Sequence, residues 1–391
     1  MHEQFDVIIV GGGMVGAALS AALGQEGMRV ALVEAGQAPA PVDDNHLDLR
    51  VSSLNLASQR LLESVGAWSL IPPARRCPFR HILAWDIHGH GETRFSAESI
   101  DLEDFGSFVE NRVIRHALWT RLTDMPTVEC LCETAPIAQL SGHDRVMLEL
   151  DNGRLLAGSL LVGAEGASSG VRERAGIRLD VTDYQQRALI INVETTLPQQ
   201  DISWQRFTPE GPQAMLPLPG HHASLVWYGD PDQTAAREAL DDEALKDAVE
   251  REFPSRLGGI ERVLGRASFP ITRQHARQYT ASRTVLVGDA AHVVHPLAGQ
   301  GLNLGLQDVI ALHERLRSAR ANDKDLGGLA TIGRYALERR PQTLAMMAAT
   351  ETFHRVFTGG EGLRSAGSAA LALAERLPQA KQWMMRRALG I

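Results

Sequence analysis

The alternation of apolar and polar residues is most informative at the start of the chain. Phe5–Val10 is an apolar, β-branched run and predicts a buried strand. Ala17–Glu26 is rich in alanine and leucine, which predicts a helix closed by Gly27, and Arg29–Val33 predicts a second buried strand. A strand, a helix and a strand within about 30 residues are typical of the βαβ unit of dinucleotide-binding folds.

The later pattern predicts a second, different region. Residues 35–48 are rich in proline, alanine and aspartate and predict a loop, and Arg50–Val65 predicts a helix with the residues that lead into it. From Arg187 to Tyr228, strand-like stretches alternate with proline and glycine turns, which predicts an antiparallel sheet in a separate lobe. Thr284–Val287 predicts a return to buried strand, and the chain beyond residue 306 predicts only helices. Shorter elements are predicted as strands at Arg80–Asp86, Glu92–Phe95, Thr127–Cys132 and Ser159–Gly163, and as a helix at Asn111–Leu122.

Composition narrows the class of protein. A hydrophobic content of 44% and a charged content of 22% are globular values. The net charge of −8 argues against a protein that binds nucleic acid through its phosphates. Three cysteines cannot form a disulfide framework, which favours the reducing cytoplasm. Residues 7–23 are mostly apolar, but their glycines indicate a strand, turn and helix rather than a membrane span.

The first glycine-rich turn supplies a phosphate site. Gly11, Gly13 and Gly16 form a G-x-G-x-x-G pattern between the predicted strand and helix. A helix N-terminus carries unpartnered N–H groups and a partial positive charge, so a pyrophosphate binds there. Glu34 ends the second strand, where a carboxylate can accept ribose hydroxyls and favours FAD or NAD over NADP.

A second glycine-rich segment decides between these cofactors. Within residues 285–292, the pattern predicts a buried strand that ends at Asp289. A second turn, through Gly299 and Gly301, opens another predicted helix. The Asp289 carboxylate could bond a polyol hydroxyl, and the helix end could stabilise negative charge on a reduced ring. A ligand that spans both turns must be long and carry a polyol. FAD meets this requirement, whereas NAD has no ribityl chain.

The predicted fold class is therefore α/β. It combines an FAD-binding, Rossmann-like βαβ domain, an inserted antiparallel β-sheet substrate domain and a C-terminal helical region. The predicted boundaries are 1–75, 106–180 and 276–320 for the discontinuous FAD-binding domain, 76–105 and 181–275 for the substrate domain, and 321–391 for the helical region.

These motifs carry a family resemblance over nearly the whole chain. The chain resembles the flavoprotein aromatic hydroxylases related to p-hydroxybenzoate hydroxylase, and among them the ubiquinone-biosynthesis hydroxylases. The stretches 207–212, 216–218 and 224–227 are most similar to the branch that hydroxylates the demethoxy-ubiquinol ring. The resemblance implies an FAD monooxygenase acting on a prenylated phenol or quinol and O2 through a flavin C4a-hydroperoxide. It leaves open whether NAD(P)H or another donor reduces the flavin.

The resemblance also implies roles for individual residues. Arg50 matches an arginine near the flavin, and Asp289 matches the aspartate that bonds the ribityl chain. The backbone of the loop that cradles the isoalloxazine matches Gly299, Gly301, Leu302 and Asn303. One departure concerns Glu165, which stands where the family has aspartate, so the loop must shift and the route of flavin reduction is uncertain.

Catalytic residues are not evident from the pattern, since no acid–base pair or nucleophile stands out. His292, His295 and Pro296 lie in the flavin loop and are candidates for the pocket, although a structural histidine is the simpler interpretation. The histidine pairs lack ligand partners, so no metal site is predicted. Gly166–Gly170 matches the G-x-S-x-G of serine hydrolases, but Ser168 and Ser169 are more simply helix caps.

Three alternatives stay open. They are another flavin-dependent oxidoreductase, an aromatic hydroxylase outside ubiquinone synthesis, and a non-catalytic FAD-fold assembly component. From Arg334 onward, nine lysines and arginines stand against four acids, a local charge of +5. With Met384, Met385 and Leu389 beside Arg386 and Arg387, this basic tail predicts contact with an anionic membrane surface or a biosynthetic complex. The expected location is the cytoplasm, with attachment to the inner face of the membrane as an option.

Overall fold

A computed structural model describes residues 2–43, 47–87, 91–255, 258–296, 299 and 301–389. Within that part of the chain, the strands are β1 Glu3–Val10, β2 Val30–Val33, β3 Val51–Asn55, β4 Cys77–Pro78, β5 His81–Asp86, β6 Glu92–Ser96, β7 Gly106–Glu110, β8 Val128–Leu131, β9 Pro136–Ser141, β10 Val146–Leu150, β11 Leu155–Gly163, β12 Leu179–Thr195, β13 Ile202–Thr208, β14 Gly211–Leu218, β15 His222–Gly229, β16 Ile260–Ala276, β17 Thr280–Ala281, β18 Thr284–Leu286 and β19 His292–Val293. The helices are α1 Met14–Gln25, α2 Leu56–Ser64, α3 Asn111–Thr123, α4 Gly170–Arg174, α5 Pro231–Glu238, α6 Asp242–Glu252, α7 Gly301–Ala321, α8 Leu329–Thr358, α9 Glu361–Glu375 and α10 Pro378–Leu389.

The first sheet contains the βαβ unit. Its main path runs β17-β18-β11-β1-β2-β8, and the pairs from β18 to β8 are parallel. Its central strands are buried from Val7 to Val10 in β1 and throughout β2, as expected when helices cover both faces of a parallel sheet. Parallel strands end at the same edge, so the loops after β1, β11 and β18 meet there. The two predicted glycine-rich turns therefore lie at one edge of one sheet.

The second sheet runs β19-β16-β12-β15-β14-β13-β5-β6. Most of its pairs are antiparallel, as predicted, but β5 and β13 pair in parallel. The reason is that β5 and β6 come from a distant segment as a separate hairpin, so no tight turn fixes their direction against β13. One face of this sheet buries a core against α6, including Trp204, Met215 and Trp227.

A small third sheet, in the order β3-β7-β4, corrects one prediction. The sequence predicts no strand at residues 51–55, only the residues that lead into a helix. In the structure these residues form β3, and the helix α2 begins at Leu56. The register places Val51 opposite Glu110, so a partner far along the chain determines the conformation. Local propensity cannot report such pairing.

The helices divide between these layers. α1, α3 and α7 contribute to the large core around the first sheet. α9 and α10 cover the β5–β6 end of the second sheet, where Thr93 Oγ1 donates to Leu371 O at 2.5 Å and Gln382 Nε2 donates to Ser99 O at 2.8 Å. The α/β architecture with parallel and antiparallel sheets agrees with the predicted fold class. The predicted domain boundaries stay a prediction.

Candidate active site

The first glycine turn is shaped by close backbone contacts. Gly11 has φ of +108°, and a methyl group there would lie 2.4 Å from Ala164 O. A methyl group on Gly16 would lie 2.0 Å from Gly11 O, so both positions require glycine. At Gly13, by contrast, a methyl group would meet nothing within 4 Å, and no side chain caps α1. The helix N-terminus therefore faces open space, as a phosphate-binding turn requires.

Glu34 holds this turn in place. Its Oε2 accepts the Gly12 N–H at 2.6 Å, and its Oε1 accepts the Gly36 N–H at 3.0 Å. Arg115 and Trp119, one turn apart on α3, both donate to Gly12 O, at 3.0 and 2.8 Å. The sequence reasoning missed these two residues, because helical spacing shows that they share a face but not what that face contacts.

The second glycine turn lies directly beside the first. A methyl group on Gly305, in the second turn of α7, would be 2.7 Å from Val15 Cγ2, and one on Gly288 would be 3.2 Å from the same atom. Val15 is itself in the first turn of α1. The N-termini of α1 and α7 therefore converge. At Gly301, where α7 begins, an added methyl group would again meet nothing within 4 Å.

Asp289 sits in a short 3-10 turn, Gly288–Ala290, after β18. Its side chain is exposed, yet the protein atoms packed around it raise its pKa by desolvation, while the charges of His292 and Arg50 act in the opposite direction. The Arg50 guanidinium lies 4.5 Å from the ring centre of Phe269 on β16. Two residues predicted from distant parts of the sequence thus share one electrostatic environment.

Asn303 links the third sheet to α7. Its Oδ1 accepts the Asn55 N–H at 3.0 Å and the Ser58 hydroxyl at 2.7 Å, and its Nδ2 donates to Ser53 O at 2.6 Å. The side chain is buried. Its observed contacts therefore position the second turn, and Leu302 beside it packs partly against the large core.

A buried charged cluster supports the Asp289 turn from behind. Asp308 Oδ2 accepts the Gly288 N–H at 2.9 Å and lies 2.6 Å from His292 Nε2, while Oδ1 accepts Arg339 Nε at 2.7 Å. Burial alone would raise the pKa of Asp308, but His292 and Arg339 outweigh burial and lower it. Charged and hydrogen-bonded partners are what make a buried carboxylate tolerable. His292 is thus buried and bonded to Asp308, and its part in the pocket stays a prediction.

The loop after β11 lies beside both turns, since Ala164 borders Gly11 and Arg172 reaches Ala290. Glu165 Oε2 accepts the Ser169 hydroxyl at 2.7 Å and the Val171 N–H at 2.9 Å. Ser169 Oγ accepts the Arg172 N–H at 3.1 Å, so Ser169 caps α4 as predicted. Arg172 donates to Ala290 O at 3.1 Å. The longer Glu165 side chain thus still accepts a backbone N–H, together with the hydroxyl of Ser169.

The remaining predicted positions lie in the segment between β19 and α7. His295 is fully buried, whereas Pro296 is exposed and its carbonyl accepts the Gly299 N–H at 3.4 Å. Gln300, inside the predicted flavin loop, lies outside the described residues.

The observed geometry fits FAD. The open Gly11–Gly16 turn would hold the pyrophosphate, the accessible Asp289 carboxylate would accept a ribityl hydroxyl, and the N-terminus of α7 at Gly301 would face the flavin. The convergence at Val15 lets one elongated molecule reach both turns.

Comparison with known proteins agrees with this reading. Residues 143–350 match the family described as FAD binding domain. The chain is 37% identical to 3-demethoxyubiquinol 3-hydroxylase of Escherichia coli (strain K12), with all of both chains covered. It is 36% identical to ubiquinone hydroxylase UbiL of Rhodospirillum rubrum, over 98% of this chain and 89% of the relative. The chain belongs to the FAD-dependent ubiquinone-biosynthesis hydroxylases.

A solved structure supports the fold of this family member. The crystal structure of PqsL from Pseudomonas aeruginosa superposes with a TM-score of 0.77 at 25% identity, covering 94% of this chain and 100% of that chain. The comparisons thus confirm the predicted cofactor, FAD, and the predicted class of enzyme, a monooxygenase. They leave the individual site residues as predictions.

Proposed function

We propose that this hydroxylase adds one oxygen atom of O2 to the quinol ring of a prenylated ubiquinone precursor, with demethoxy-ubiquinol as the substrate. The observation that carries the proposal is the convergence of both glycine turns at Val15, beside an apolar sheet face. The full-length similarity to a 3-demethoxyubiquinol 3-hydroxylase supports the choice of ring. FAD, when bound, supplies the chemistry that activates O2.

The apolar face of the second sheet suits such a substrate. Tyr228 stacks on His295, and Asn192 donates to Asp48 O at 2.9 Å, so this face is turned toward the predicted flavin loops. Side chains alternate along a strand, hence Ile190 and Val226 share that face. Both are only partly buried, whereas Leu189 and Trp227 on the other face are buried. An apolar, partly open surface can bind a ring and its prenyl chain.

Each layer of the fold has its own role in this proposal. The Gly11–Gly16 turn, Glu34 and Asp289 bind and orient the cofactor, and Arg50 lies between it and the sheet. The first sheet with its helices forms the FAD-binding domain, and the second sheet forms the substrate domain. The α9 and α10 helices cover the β5–β6 end of the second sheet.

Two measurements test the proposal. Deletion of the gene in its host should lead to accumulation of demethoxy-ubiquinone, identified by mass, and restoration of the gene should remove it. The purified holoenzyme, supplied with the demethoxy-quinol and with a reductant for the flavin, should place one atom of labelled O2 in the ring and the other in water. A normal quinone pool after deletion would contradict the proposed reaction and favour a non-catalytic FAD-fold component. Label found only in water and peroxide would also contradict it, and would indicate a flavin enzyme that reduces O2 without hydroxylating the ring.

We also propose that the C-terminal helices contact an anionic membrane surface. Two residues predicted for this contact would not take part in it. Met385 and Leu389 are buried against Phe105 and its neighbours and are therefore not available to lipid. The side chains of Met384 and Arg387 lie outside the described part. Exposed apolar residues are instead Leu373, Leu377 and Trp383, near the exposed cations Arg376 and Arg386. In the described residues, no helix is long and apolar enough to span a bilayer.

Leu377→Asp is expected to weaken binding to vesicles that contain phosphatidylglycerol by roughly tenfold. The change removes apolar area that the membrane would bury, and the new carboxylate repels the anionic lipid. Cosedimentation measures this, with Leu337→Asp on α8 as the control, since Leu337 is also highly exposed. Equal binding of both variants, or no preference over neutral phosphatidylcholine vesicles, would contradict the membrane contact and leave a protein partner.

A further inference from the structure

His295 is a buried polar residue without a protein partner. Its side chain has no exposed surface, and neither Nδ1 nor Nε2 makes a hydrogen bond in the described structure. Leaving a buried donor or acceptor unsatisfied costs free energy, so such groups are rare in proteins. His292, three residues earlier, shows the contrast, because its ring is bonded to Asp308. The cost at His295 therefore suggests that a bound molecule supplies the missing partner.

Aromatic rings surround the imidazole. Tyr228 stacks on it with ring centres 5.8 Å apart, Tyr184 contacts it edge-on at 4.9 Å, and His354 of α8 lies 5.0 Å away. The Tyr184 hydroxyl is already engaged, since it donates to Glu351 at 2.6 Å. Burial lowers the pKa of His295 to about 4, so its ring is neutral at pH 7 and offers one donor and one acceptor.

The position of the ring connects it to the proposed substrate site. His295 lies four residues before Gly299, and it packs on Tyr228, which shares a sheet face with Val226. Beyond His354, Phe207 of β13 stacks on Phe357 of α8 with ring centres 4.1 Å apart. The side chains around His295 are thus aromatic and apolar, which is the environment that suits an aromatic ring with an apolar substituent.

We propose that His295 hydrogen-bonds a ring hydroxyl of the substrate and so orients the ring. This inference rests on the proposed function, because it takes a prenylated phenol or quinol as the ligand. His295 is then a substrate-binding residue, and its role is to hold the ring, not to activate oxygen. A neutral imidazole can accept from a phenolic hydroxyl at one nitrogen, while the N–H at the other nitrogen points away from that hydroxyl.

Paired ligands and variants isolate this hydrogen bond. The probes are a geranylated methoxyphenol and the same molecule without its hydroxyl, both inert toward the flavin, titrated into the holoenzyme and followed by flavin absorbance. The wild type should bind the phenol about tenfold more tightly than the deoxy compound. His295→Phe keeps the ring shape but should reduce this ratio to about one, while flavin content and melting temperature are maintained.

Further variants guard against a change in packing. His295→Asn retains a donor and an acceptor and should keep part of the ratio, and the control His313→Asn, at a histidine bonded to Glu26, should keep all of it. A packing role would weaken the binding of both ligands equally. An unchanged ratio in His295→Phe, or in His295→Leu if the first variant does not fold, would therefore overturn this inference and leave the proposed function intact. Failure of the wild type to bind either probe instead counts against the proposed function.

Discussion

Gly13→Asp is expected to abolish tight FAD binding while the apoprotein stays folded. A side chain at this position meets no protein atom within 4 Å, so the fold can accept it. An aspartate at the N-cap of α1 can even bond the first free N–H groups and add a few tenths of a kcal/mol. The same carboxylate would occupy the pyrophosphate space. Repulsion of about 3 kcal/mol corresponds to a loss of roughly 100-fold in affinity.

Gly13→Asn is the matched control, since it has the same shape without the charge. It should weaken FAD binding less than Gly13→Asp does, and the difference reports the negative charge of the ligand. Fluorescence titration of apoprotein with FAD gives the dissociation constants, and circular dichroism gives the melting temperature. Unchanged FAD affinity in Gly13→Asp would show that no phosphate lies at this turn.

The second large effect concerns stability. Asp308→Ala should destabilise the protein by about 3–5 kcal/mol, because Arg339 would remain buried without its carboxylate partner. The Gly288 N–H would also lose its acceptor, which frees the turn that carries Asp289. Urea unfolding of the apoprotein measures the free energy of unfolding, and the flavin content after gel filtration reports the turn.

A double variant distinguishes an unpaired charge from a simple cavity. Asp308→Leu combined with Arg339→Met removes both charges and should recover more than half of the lost stability. A double variant no more stable than Asp308→Ala would contradict this explanation.

The contribution of Asp308 should also depend on pH in a defined direction. The folded protein lowers its pKa, so its stabilisation is complete at pH 7 and is lost as the pH falls below about 4. The difference in unfolding free energy between the wild type and Asp308→Ala should therefore shrink in acid. A constant difference down to pH 3 would show that folding does not lower the pKa of this carboxyl.

Local features of this chain were predictable because their causes are local. The βαβ unit depends on a short apolar run, three glycines and an Ala- and Leu-rich helix, and each leaves a pattern in the sequence. Ser169 as a helix cap and Glu34 at the end of β2 follow from the same short-range rules. The role of Glu34 toward the ribose stays a prediction.

Features that depend on distant pairing were missed or misassigned. Residues 51–55 form a strand because β7 pairs with them, and Asn303 is bonded to residues about 250 positions earlier in the sequence. Arg339 reaches Asp308 from another helix, and Met385 packs in one cluster with Phe105 and Phe108 instead of facing lipid. None of these partners can be read from spacing, since the fold alone brings them together.

The central claim is that one FAD molecule bridges both glycine turns, and competitive binding tests it most directly. The dissociation constants of FAD and of ADP should be measured for apoprotein of the wild type, Gly13→Asp and Asp289→Ala. We expect Gly13→Asp to weaken both ligands, and Asp289→Ala to weaken FAD by about tenfold while ADP binds as in the wild type. Undiminished FAD affinity in Asp289→Ala would contradict the claim, because the second turn would then not touch the cofactor.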